Sequence, residues 1–545
     1  MEIAEIRDLD GPNLFMRQPA IKLEIDTGGD RPSVAEASAS AFAVGEASDD
    51  TRLTGVSADR LTVLLAEVIN VLHDRAGVDR PQLESRSMET PNHIAVAFSW
   101  SHRPFAKRLA RLALEIVAGS VTDLDSRVDE LRMLAVREPD VDDRPAMLND
   151  AERSIPIIGI TGTNGKTTTT RLISAILMGS GKRVGWTSSS GVVVQGETVL
   201  EGDFTGPAGA ARVFEEPDLD VAVLETARGG ILLRGLGYES NDVSVVTNVS
   251  ADHLGLQGVF TVEELARVKR VVASVTKPEG FVVLNANDSL VLAMREGLQA
   301  RLFLISRHDE NPDVLVHAES GGWALWVENG LVHFSHDGDR DVLTDLNDIP
   351  ITLGGRATHM LENALCAAAA TLALGLDLDQ VRTGLASFRN RVDQNRGRLN
   401  IFDVDGVTVV VDFAHNSAGL NHLLNVGRGL AADGGELIAV VGSAGDRPDD
   451  ALTELGRLSG EQADVVVVKD TIKYLRGRDT GDIPQLILNG TSQAQHDKVW
   501  TEPNEFAAFE RSMSLANAGD AVVIMCIEDI DQILDQLIET GTPVS

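Results

Sequence analysis

The run from Thr161 to Thr168 carries residue types that together bind phosphate groups. It follows an apolar run suited to a strand and precedes apolar residues at helical spacing, so backbone N–H groups and a helix dipole would converge on an anion. Lys166 would reach the β- and γ-phosphates of a nucleotide, and the Thr167 hydroxyl would bind magnesium. The usual motif has a glycine where this chain has Ile160, and the glycines here stand at 159, 162 and 165. We predict an ATP site formed by Gly162, Thr163, Asn164, Gly165, Lys166, Thr167 and Thr168.

Polar side chains stand directly after two further apolar runs. Glu225 follows Val221–Leu224, and a polar segment that ends in His253 follows Val243–Val246. Ligands in open α/β sheets gather beyond the carboxyl ends of strands, so we expect both side chains at the edge that holds the phosphate loop. A carboxylate suits magnesium, whereas imidazole is a less usual ligand, and a role for His253 in bonding a loop stays open. The predicted magnesium ligands are Thr167, Glu225 and His253.

The elements that must position these side chains form two α/β patterns. From Ile155 onward, short β-rich runs alternate with helical segments, which is typical of a parallel sheet covered by helices. A second such pattern begins near Arg398 and includes apolar runs at Val407–Asp412, Leu437–Val441 and Ala521–Met525. The two patterns predict two neighbouring sheets.

The first 135 residues have a different, mixed pattern. Residues 20–25 and 93–99 suit strands, and apolar spacing over 61–75 and 105–117 suits helices. A stretch rich in proline and acidic residues follows and is typical of a linker. We therefore predict an α/β protein with a small α+β domain, a central P-loop domain with a parallel sheet, and a Rossmann-like third domain. The predicted bounds are 1–135, 155–392 and 393–545, with a linker at 136–154.

The composition limits the classes of function. A chain of 545 residues is too long for one core. Its formal charge of −34 argues against nonspecific binding to nucleic acid or anionic membranes and favours a cationic substrate, although solubility alone also explains it. No apolar run is long enough to span a bilayer, and Met1–Glu5 shows no secretory leader. Cys366 and Cys526 stand in apolar runs and indicate buried thiols in a reducing compartment, so we expect a cytoplasmic protein.

These motifs resemble the central domain of the Mur ligase family. The phosphate loop, Glu225, the segment from Asn248 to His253 and Lys269 all fit that domain. Within the family, the strongest resemblance is to the Mur-ligase-like half of cyanophycin synthetases. Residues 1–135 are also similar to the first domain of those synthetases, but the ATP-grasp domain that lies between the two parts is replaced by the linker. The motifs that carry the resemblance are Gly202–Pro207, Leu224–Ile231, Ala251–Leu256, Glu264–Lys269, Gly397-Arg398, Asp412–Asn416, Gly445–Arg447 and Arg476–Arg478.

The resemblance implies roles for individual residues. Lys269, by its type an ordinary surface cation, would carry a carbamate and thereby join the magnesium ligands. Asn285 would contact adenine, Asp412 the ribose and Arg398 the γ-phosphate, so the third domain must close over the nucleotide. The catalytic residues would be Lys166, Glu225, His253, Lys269 and Arg398, and the substrates would meet Asp203, Thr205, His415, Asn416 and Arg447.

The activity that the resemblance implies is that of an ATP- and Mg²⁺-dependent ligase. Such an enzyme phosphorylates a carboxylate to an acyl phosphate, which an amine then attacks. The substrates would be a small-molecule or short-peptide acid and an amino acid, for example an aspartate side chain and arginine. The alternatives are a Mur-type ligase for a cell-wall precursor or a glutamylated cofactor, and a nucleotide-binding regulatory protein without ligation. We expect no nucleic-acid or membrane partner, and a homo-oligomer stays open.

Overall fold

Three β-sheets follow one another along the chain in the computed structural model, which describes residues 2–26, 60–87, 90 and 93–544. Residues 27–59 of the predicted first domain lie outside the described residues. The first part contains β1 (Glu2–Leu9), β2 (Ala20–Asp26), α1 (Arg60–Ala76), β3 (Leu83–Ser87), β4 (His93–Ser99), α2 (Arg103–Val117) and α3 (Leu124–Val136). Its four strands form an antiparallel sheet in the order β1-β2-β4-β3.

Alternation of side chains gives this first sheet one apolar and one charged face. Ile21, Leu23 and Ile25 of β2 lie in one buried apolar cluster with α1 and α2. Lys22 and Glu24 of the same strand therefore project from the opposite face. The strands predicted at 20–25 and 93–99 and the two predicted helices are confirmed, whereas the sequence pattern does not indicate β1, β3 or α3.

The central part contains one large sheet flanked by helices. Its elements are β5 (Ile157–Thr161), α4 (Lys166–Gly179), β6 (Val184–Ser188), β7 (Gly191–Val194), β8 (Glu197–Glu201), α5 (Pro207–Phe214), β9 (Val221–Glu225), α6 (Arg228–Arg234), β10 (Asn241–Val246), α7 (Val262–Ser274), β11 (Thr276–Asn285), α8 (Ser289–Ala293), β12 (Arg301–Ser306), α9 (Pro312–Glu319), β13 (Trp323–Glu328), β14 (Leu331–His336), β15 (Asp339–Asp345), α10 (Thr358–Ala373), α11 (Leu378–Ser387) and α12 (Val392–Asn395). The strand order is β15-β14-β13-β12-β11-β10-β5-β9-β6-β7-β8. The phosphate loop leaves the middle of this sheet, after β5.

The central sheet is parallel through its middle strands, as predicted, and has antiparallel strands at both edges. The strands from β13 through to β6 pair in parallel, but β7, β8, β14 and β15 pair antiparallel. The reason is the length of the connections, since two residues can join only antiparallel neighbours. The turns Gln195-Gly196, Asn329-Gly330 and Asp337-Gly338 have φ between 47° and 94°, as such hairpins require.

The third part forms a second α/β sheet. Its elements are β16 (Asn400–Val404), β17 (Val407–Asp412), α13 (Ser417–Leu430), β18 (Leu437–Val441), α14 (Asp449–Gln462), β19 (Val465–Lys469), α15 (Asp482–Gln493), β20 (Val499–Glu502), α16 (Glu505–Leu515), β21 (Ala521–Met525), α17 (Ile530–Thr540) and β22 (Thr542–Pro543). The strand order is β20-β19-β18-β21-β17-β16-β22, and β16 pairs antiparallel with both of its neighbours. The predicted strands β17, β18 and β21 are confirmed.

The three parts are packed against one another. The segment between the first and central parts contacts the central part, because Leu148 donates its N–H to the Gly237 carbonyl at 3.0 Å. A single buried apolar cluster includes α4 and α10 of the central part and α13 of the third part. Cys366 and Cys526 are free and buried, as the sequence predicts. In the described ranges, every helix is too short or too polar to cross a membrane.

Candidate active site

The phosphate loop joins β5 to α4 and depends on two glycines. Gly165 precedes α4 with φ 83°, and Gly162 has φ 153°. A Cβ atom at Gly162 would lie 1.9 Å from Oγ1 of Thr247, and one at Gly165 would lie 2.1 Å from Oδ1 of Asn363. Only glycine fits these two positions. Ile160 is fully buried within β5, before the turn, so the departure from the usual motif leaves the turn itself unchanged.

Asn248, two residues after β10, holds the phosphate loop in place. Its carbonyl accepts the N–H of Thr163 at 2.8 Å, and its Oδ1 accepts the N–H of Asn164 at 2.9 Å. Its Nδ2 donates to the Asn164 carbonyl at 3.1 Å. The Lys166 ammonium lies over the same turn, because its Nζ donates to the Thr163 carbonyl at 2.9 Å. These hydrogen bonds fix the shape of the loop.

Oxygen atoms suited to magnesium meet beside the loop. Oγ1 of Thr167 donates to Oε2 of Glu225 at 2.9 Å and lies 3.3 Å from Oγ of Ser189, which the sequence does not single out. Glu225 ends β9 and is 3% exposed, and burial raises the pKa of its carboxyl despite the nearby charge of Lys166. Such hard oxygen atoms fit Mg²⁺. Within the described part of the chain, His, Cys, Asp and Glu form no group of three or more that could hold a metal. The further oxygen atoms beside Glu225 are the hydroxyls of Thr167 and Ser189.

Lys269 is buried, which contradicts the surface position that its residue type suggests. It lies on α7 with 3% exposure, and its Nζ donates to the Gly162 carbonyl at 2.7 Å. Burial and the positive charge of Lys166 hold the pKa of the Lys269 amine well below its usual range. The predicted capping box of Thr261 and Glu264 begins this helix. A buried lysine amine thus contacts the phosphate loop through the Gly162 carbonyl.

A cavity of about 350 Å³, which we call the phosphate-loop cavity, separates the loop from the third part. The Arg398 guanidinium lies 4.4 Å from the centre of the Phe413 ring and forms no salt bridge with any described residue. Asp412 and Glu225 attract it electrostatically. Of the predicted site residues, the cavity is lined by Thr163, Asn164, Gly165, Lys166, Thr167, Thr168, Asp203, Thr205, Glu225, Arg398, Asp412 and His415.

His253 and Arg447, predicted as a metal ligand and a substrate contact, meet each other outside this cavity. Nδ1 of His253 lies 2.5 Å from Nη1 of Arg447 and 3.3 Å from Oδ2 of Asp446. Nη2 of Arg447 lies 3.1 Å from Oδ1 of Asp252, whose Oδ2 lies 3.7 Å from Nε2 of His415. Although Asp252 is buried, these neighbours hold the pKa of its carboxyl below the usual range. We call these five residues the interdomain cluster, because it joins the central and third parts.

The other predicted residues lie beside the phosphate-loop cavity. Asn416 begins α13, and its Nδ2 donates to Oδ1 of Asn164 at 3.0 Å, which ties the phosphate loop to the third part. Asn285 is 1% exposed, and its Nδ2 donates to the Thr247 carbonyl at 2.9 Å. It lines an adjoining cavity of about 380 Å³ that shares Asn248 with the first. The predicted adenine contact is therefore next to the predicted phosphate site.

Two histidines that the sequence does not single out also line the phosphate-loop cavity. His359 of α10 and His422 of α13 stack with ring centres 5.0 Å apart. Burial and repulsion by His422 lower the pKa of His359 to about 3, and burial lowers the pKa of His422. Both rings are therefore uncharged at neutral pH. An isolated histidine in a sequence carries no signal for such a contact, because the two rings meet only when the central and third parts pack together.

The chain matches two family descriptions, "Mur ligase middle domain" over residues 160–371 and "Mur ligase, glutamate ligase domain" over residues 397–526. It is 40% identical over 378 residues to a cyanophycin synthetase from Nostoc sp., a match that covers 69% of this chain and 42% of the relative. It is 30% identical over 375 residues to a UDP-N-acetylmuramoyl-L-alanyl-D-glutamate--2,6-diaminopimelate ligase from Geobacter metallireducens, covering 67% of this chain and 68% of the relative.

Solved structures show the same fold. FolC of E. coli in complex with DHPP and ADP superimposes with a TM-score of 0.53 and 21% sequence identity, covering 70% of this chain and 89% of FolC. The chain spans about two fifths of the length of the cyanophycin synthetases that it matches, at 42% of the Nostoc protein. The resemblance on which the predicted fold and activity rest is thus confirmed. The chain belongs to the Mur ligase family of ATP-dependent ligases that form C–N bonds.

Proposed function

We propose that this ligase uses ATP to convert a carboxylate into an acyl phosphate, which an amino acid attacks to form an amide. The observation that carries the proposal is the phosphate-loop cavity, where Lys166, Asp203 and Arg398 line one space. A carboxylate needs activation because oxide is a poor leaving group. Lys166 from the central domain and Arg398 from the third domain offset the charge of the phosphoryl group during its transfer. Closure of the two domains keeps water from the acyl phosphate.

Magnesium would bind at the oxygen atoms beside the phosphate loop. Thr167 and Glu225, 2.9 Å apart, are the proposed ligands, and Ser189 supplies a further hydroxyl. When bound, the ion neutralises phosphate charge and orients the transferred group. His253 stays a predicted ligand, although Arg447 contacts its Nδ1 and its Nε2 lies 3.9 Å from Oδ2 of Asp252.

We further propose that Lys269 carries a carbamate. A lowered pKa increases the uncharged fraction of the amine, and an uncharged amine adds to carbon dioxide and releases one proton. The carbamate would place a negative charge beside the Gly162 carbonyl, which would compensate a second magnesium ion. Equilibration with ¹³C-labelled bicarbonate should give a carbamate carbon signal in the NMR spectrum, and Lys269→Met should lack it. A wild-type spectrum without that signal contradicts the modification.

The proposed substrates are an aspartate-type carboxylate and a cationic amino acid such as arginine. Support comes from the 40% identity to a cyanophycin synthetase and from the formal charge of −34, which favours the approach of a cation. The acceptor would lie near Asp203, whose Oδ1 accepts the Thr205 hydroxyl at 2.6 Å. The amino acid would meet His415, which donates its Nδ1–H to the Phe413 carbonyl at 2.9 Å and is thereby oriented.

A second candidate is a ligase for a cell-wall precursor. The observation that favours it is the match to the diaminopimelate ligase of Geobacter metallireducens, which covers about two thirds of both chains, 67% and 68%. Both candidates use the same phosphate chemistry and differ only in the acceptor and the amine. Identification of the acceptor and the amine therefore distinguishes the two candidate functions.

The test is a screen of amino acids against acidic acceptors, read by mass spectrometry of the ligated product. Arginine joined to an aspartyl acceptor, formed only with ATP and Mg²⁺, supports the first candidate. Diaminopimelate joined to a muramoyl dipeptide nucleotide supports the second. Reactions without ATP and reactions of Lys166→Ala serve as controls. If every pair releases phosphate at the rate of ATP alone and gives no product, the proposed ligation is wrong.

A further inference from the structure

A cavity of about 630 Å³ lies between the first and central domains, and none of its lining residues lines the phosphate-loop cavity. We call it the first-sheet cavity. One wall is the charged face of the first sheet, and the other comes from α6, α7 and the loop at 257–259. The charged residues of the sheet wall are Glu5, Arg7, Lys22, Glu24, Glu84, Arg86 and His93.

Most charges on the sheet wall neutralise one another. Nζ of Lys22 lies 3.0 Å from Oε2 of Glu5 and 2.5 Å from Oε2 of Glu24. Nδ1 of His93 lies 2.7 Å from Oε1 of Glu24, and Arg7 contacts Glu5. Opposite charges on adjacent strands pair in this way on any exposed sheet face. These residues by themselves give no reason to expect a ligand.

Two arginines of the same cavity have no such partner. Arg86 of β3 and Arg267 of α7 line it from the sheet side and the helix side, and neither forms a salt bridge or a side-chain hydrogen bond with any described residue. The Arg86 guanidinium lies 5.8 Å from the centre of the Phe15 ring. Burial and repulsion by Arg267 lower its pKa. Two neighbouring cations without a salt bridge to any described residue are unexpected in a chain with 82 acidic and 48 basic residues.

Two carboxylates of the same cavity, Glu84 and Glu264, attract Arg86 electrostatically but form no salt bridge with it. Glu264 accepts the N–H of Phe260 at 2.8 Å and that of Thr261 at 3.3 Å, and so caps the start of α7. The N–H donors of the two guanidinium groups therefore remain available to a ligand.

We propose that the first-sheet cavity binds a small organic polyanion, whose carboxylate or phosphate groups meet Arg86 and Arg267. Guanidinium groups bind both kinds of oxyanion through paired N–H donors. The volume of about 630 Å³ is typical of small-molecule sites. Leu9, Leu14 and Ile231 line the same space and would contact the carbon skeleton of the ligand. This site is separate from the ligation site and does not depend on the proposed substrates.

A ligand bound in this cavity would affect the ligation site through α7. Arg267 and Lys269 are two residues apart on that helix, and Lys269 contacts the phosphate loop at the Gly162 carbonyl. A polyanion held by Arg86 and Arg267 would also join the first domain to the central one. A ligand bound at the first sheet could thus change the position of the phosphate loop.

Isothermal titration calorimetry of the full chain tests the proposal, with citrate, a tetra-aspartate peptide and pyrophosphate as probes. The Lys166→Ala background removes binding at the phosphate loop. At least one probe should bind, and the double variant Arg86→Gln/Arg267→Gln should weaken it by at least about tenfold. Arg267 is exposed, so Arg267→Gln alone should keep the fold and still weaken binding several-fold.

The control variant is Arg457→Gln, because Arg457 is an exposed arginine of the third domain that pairs with Glu454 and Glu461. It removes the same charge and should leave the affinity unchanged. Preference for citrate and the peptide identifies a carboxylate ligand, whereas preference for pyrophosphate identifies a phosphate ligand. The proposal is overturned if no probe binds at millimolar concentration, or if both arginine variants bind as tightly as their parent.

Discussion

Replacing Arg447 by alanine should loosen the closed arrangement of the central and third domains. The side chain is 6% exposed and contacts Asp252 at 3.1 Å and His253 at 2.5 Å across the domain boundary. Removing one partner of a buried charged pair costs about 3 kcal/mol, because the other charge is left without compensation. Since Arg398 and Asp412 line the phosphate-loop cavity from the third domain, loosening should appear as weaker nucleotide binding.

A cost of about 3 kcal/mol corresponds to roughly a hundredfold loss of affinity, and we treat this as the upper limit. Other contacts remain in the variant. His415 still lies 3.7 Å from Asp252, and Asp446 still lies 3.3 Å from His253. Asn416 still donates to Asn164 at 3.0 Å. We therefore expect a loss between about tenfold and about a hundredfold. Calorimetry with a non-hydrolysable ATP analogue and Mg²⁺ measures it, and small-angle X-ray scattering should show a larger radius of gyration.

Two further variants separate this explanation from a role in substrate binding. Arg447→Lys keeps the charge but loses the paired donors, so it should recover part of the affinity. Arg457→Ala removes an exposed arginine of the same domain and should change nothing. If Arg447→Ala leaves nucleotide affinity and the radius of gyration unchanged and raises only KM for the amino acid, Arg447 binds substrate, and the reasoning from the interdomain cluster is wrong.

Three other predictions concern the phosphate loop and its neighbours. Lys166→Ala should abolish phosphoryl transfer without changing thermal unfolding, because among the described residues Nζ bonds only the Thr163 carbonyl, and retained turnover would remove the loop from the nucleotide site. Glu225→Gln should raise the Mg²⁺ concentration for half-maximal activity at least about tenfold, and an unchanged titration would exclude Glu225 as a ligand. Because the pKa of Lys269 is lowered in the folded chain, the unfolded chain binds a proton at this amine more tightly at pH values below the usual pKa of 10.5. The contribution of Lys269 therefore makes the stability of the wild-type protein rise with pH. In buffer without carbon dioxide, urea unfolding between about pH 7 and about pH 10 should therefore show a stability difference from Lys269→Met that shrinks as pH increases, and a constant difference would contradict the lowered pKa of the buried amine.

The sequence predicts those elements whose signal lies within one short segment. The predicted bounds of β17, β18 and β21 agree with the structure, because each strand is a buried run rich in β-branched residues between polar ones. Glu225 is predictable for the same reason, since it ends such a run in β9. The phosphate loop combines a strand, two glycines and a helix start, so its position follows from the sequence as well. Turns such as Asn329-Gly330 are typical of β-hairpins and therefore indicate antiparallel strands at the edges. The prediction of a parallel sheet rests only on the general α/β pattern and does not take these turns into account.

Contacts between distant segments could not be predicted in this way. The burial of Lys269 depends on how α7 packs beneath the phosphate loop, and no local pattern distinguishes it from a surface lysine. The local sequence predicts that His253 lies at a sheet edge, but its contact with Arg447 depends on the position of the third domain. The stacked pair of His359 and His422 has the same origin. Residue type and spacing therefore locate the phosphate site but do not determine which side chains complete it.

Two of the contacts that join the central and third domains differ in their charge and in their distance from the nucleotide site. The pair of Asn164 and Asn416 is uncharged and includes a residue of the phosphate loop itself, so a bound nucleotide would touch one of its members. The contact of Arg447 with Asp252 is ionic and lies outside the phosphate-loop cavity, so it can hold the domains together whether or not a nucleotide is present. The ligation proposed above would need both properties, since closure would have to follow nucleotide binding and then persist while the amine attacks. The amide pair therefore suits the first requirement and the interdomain cluster the second.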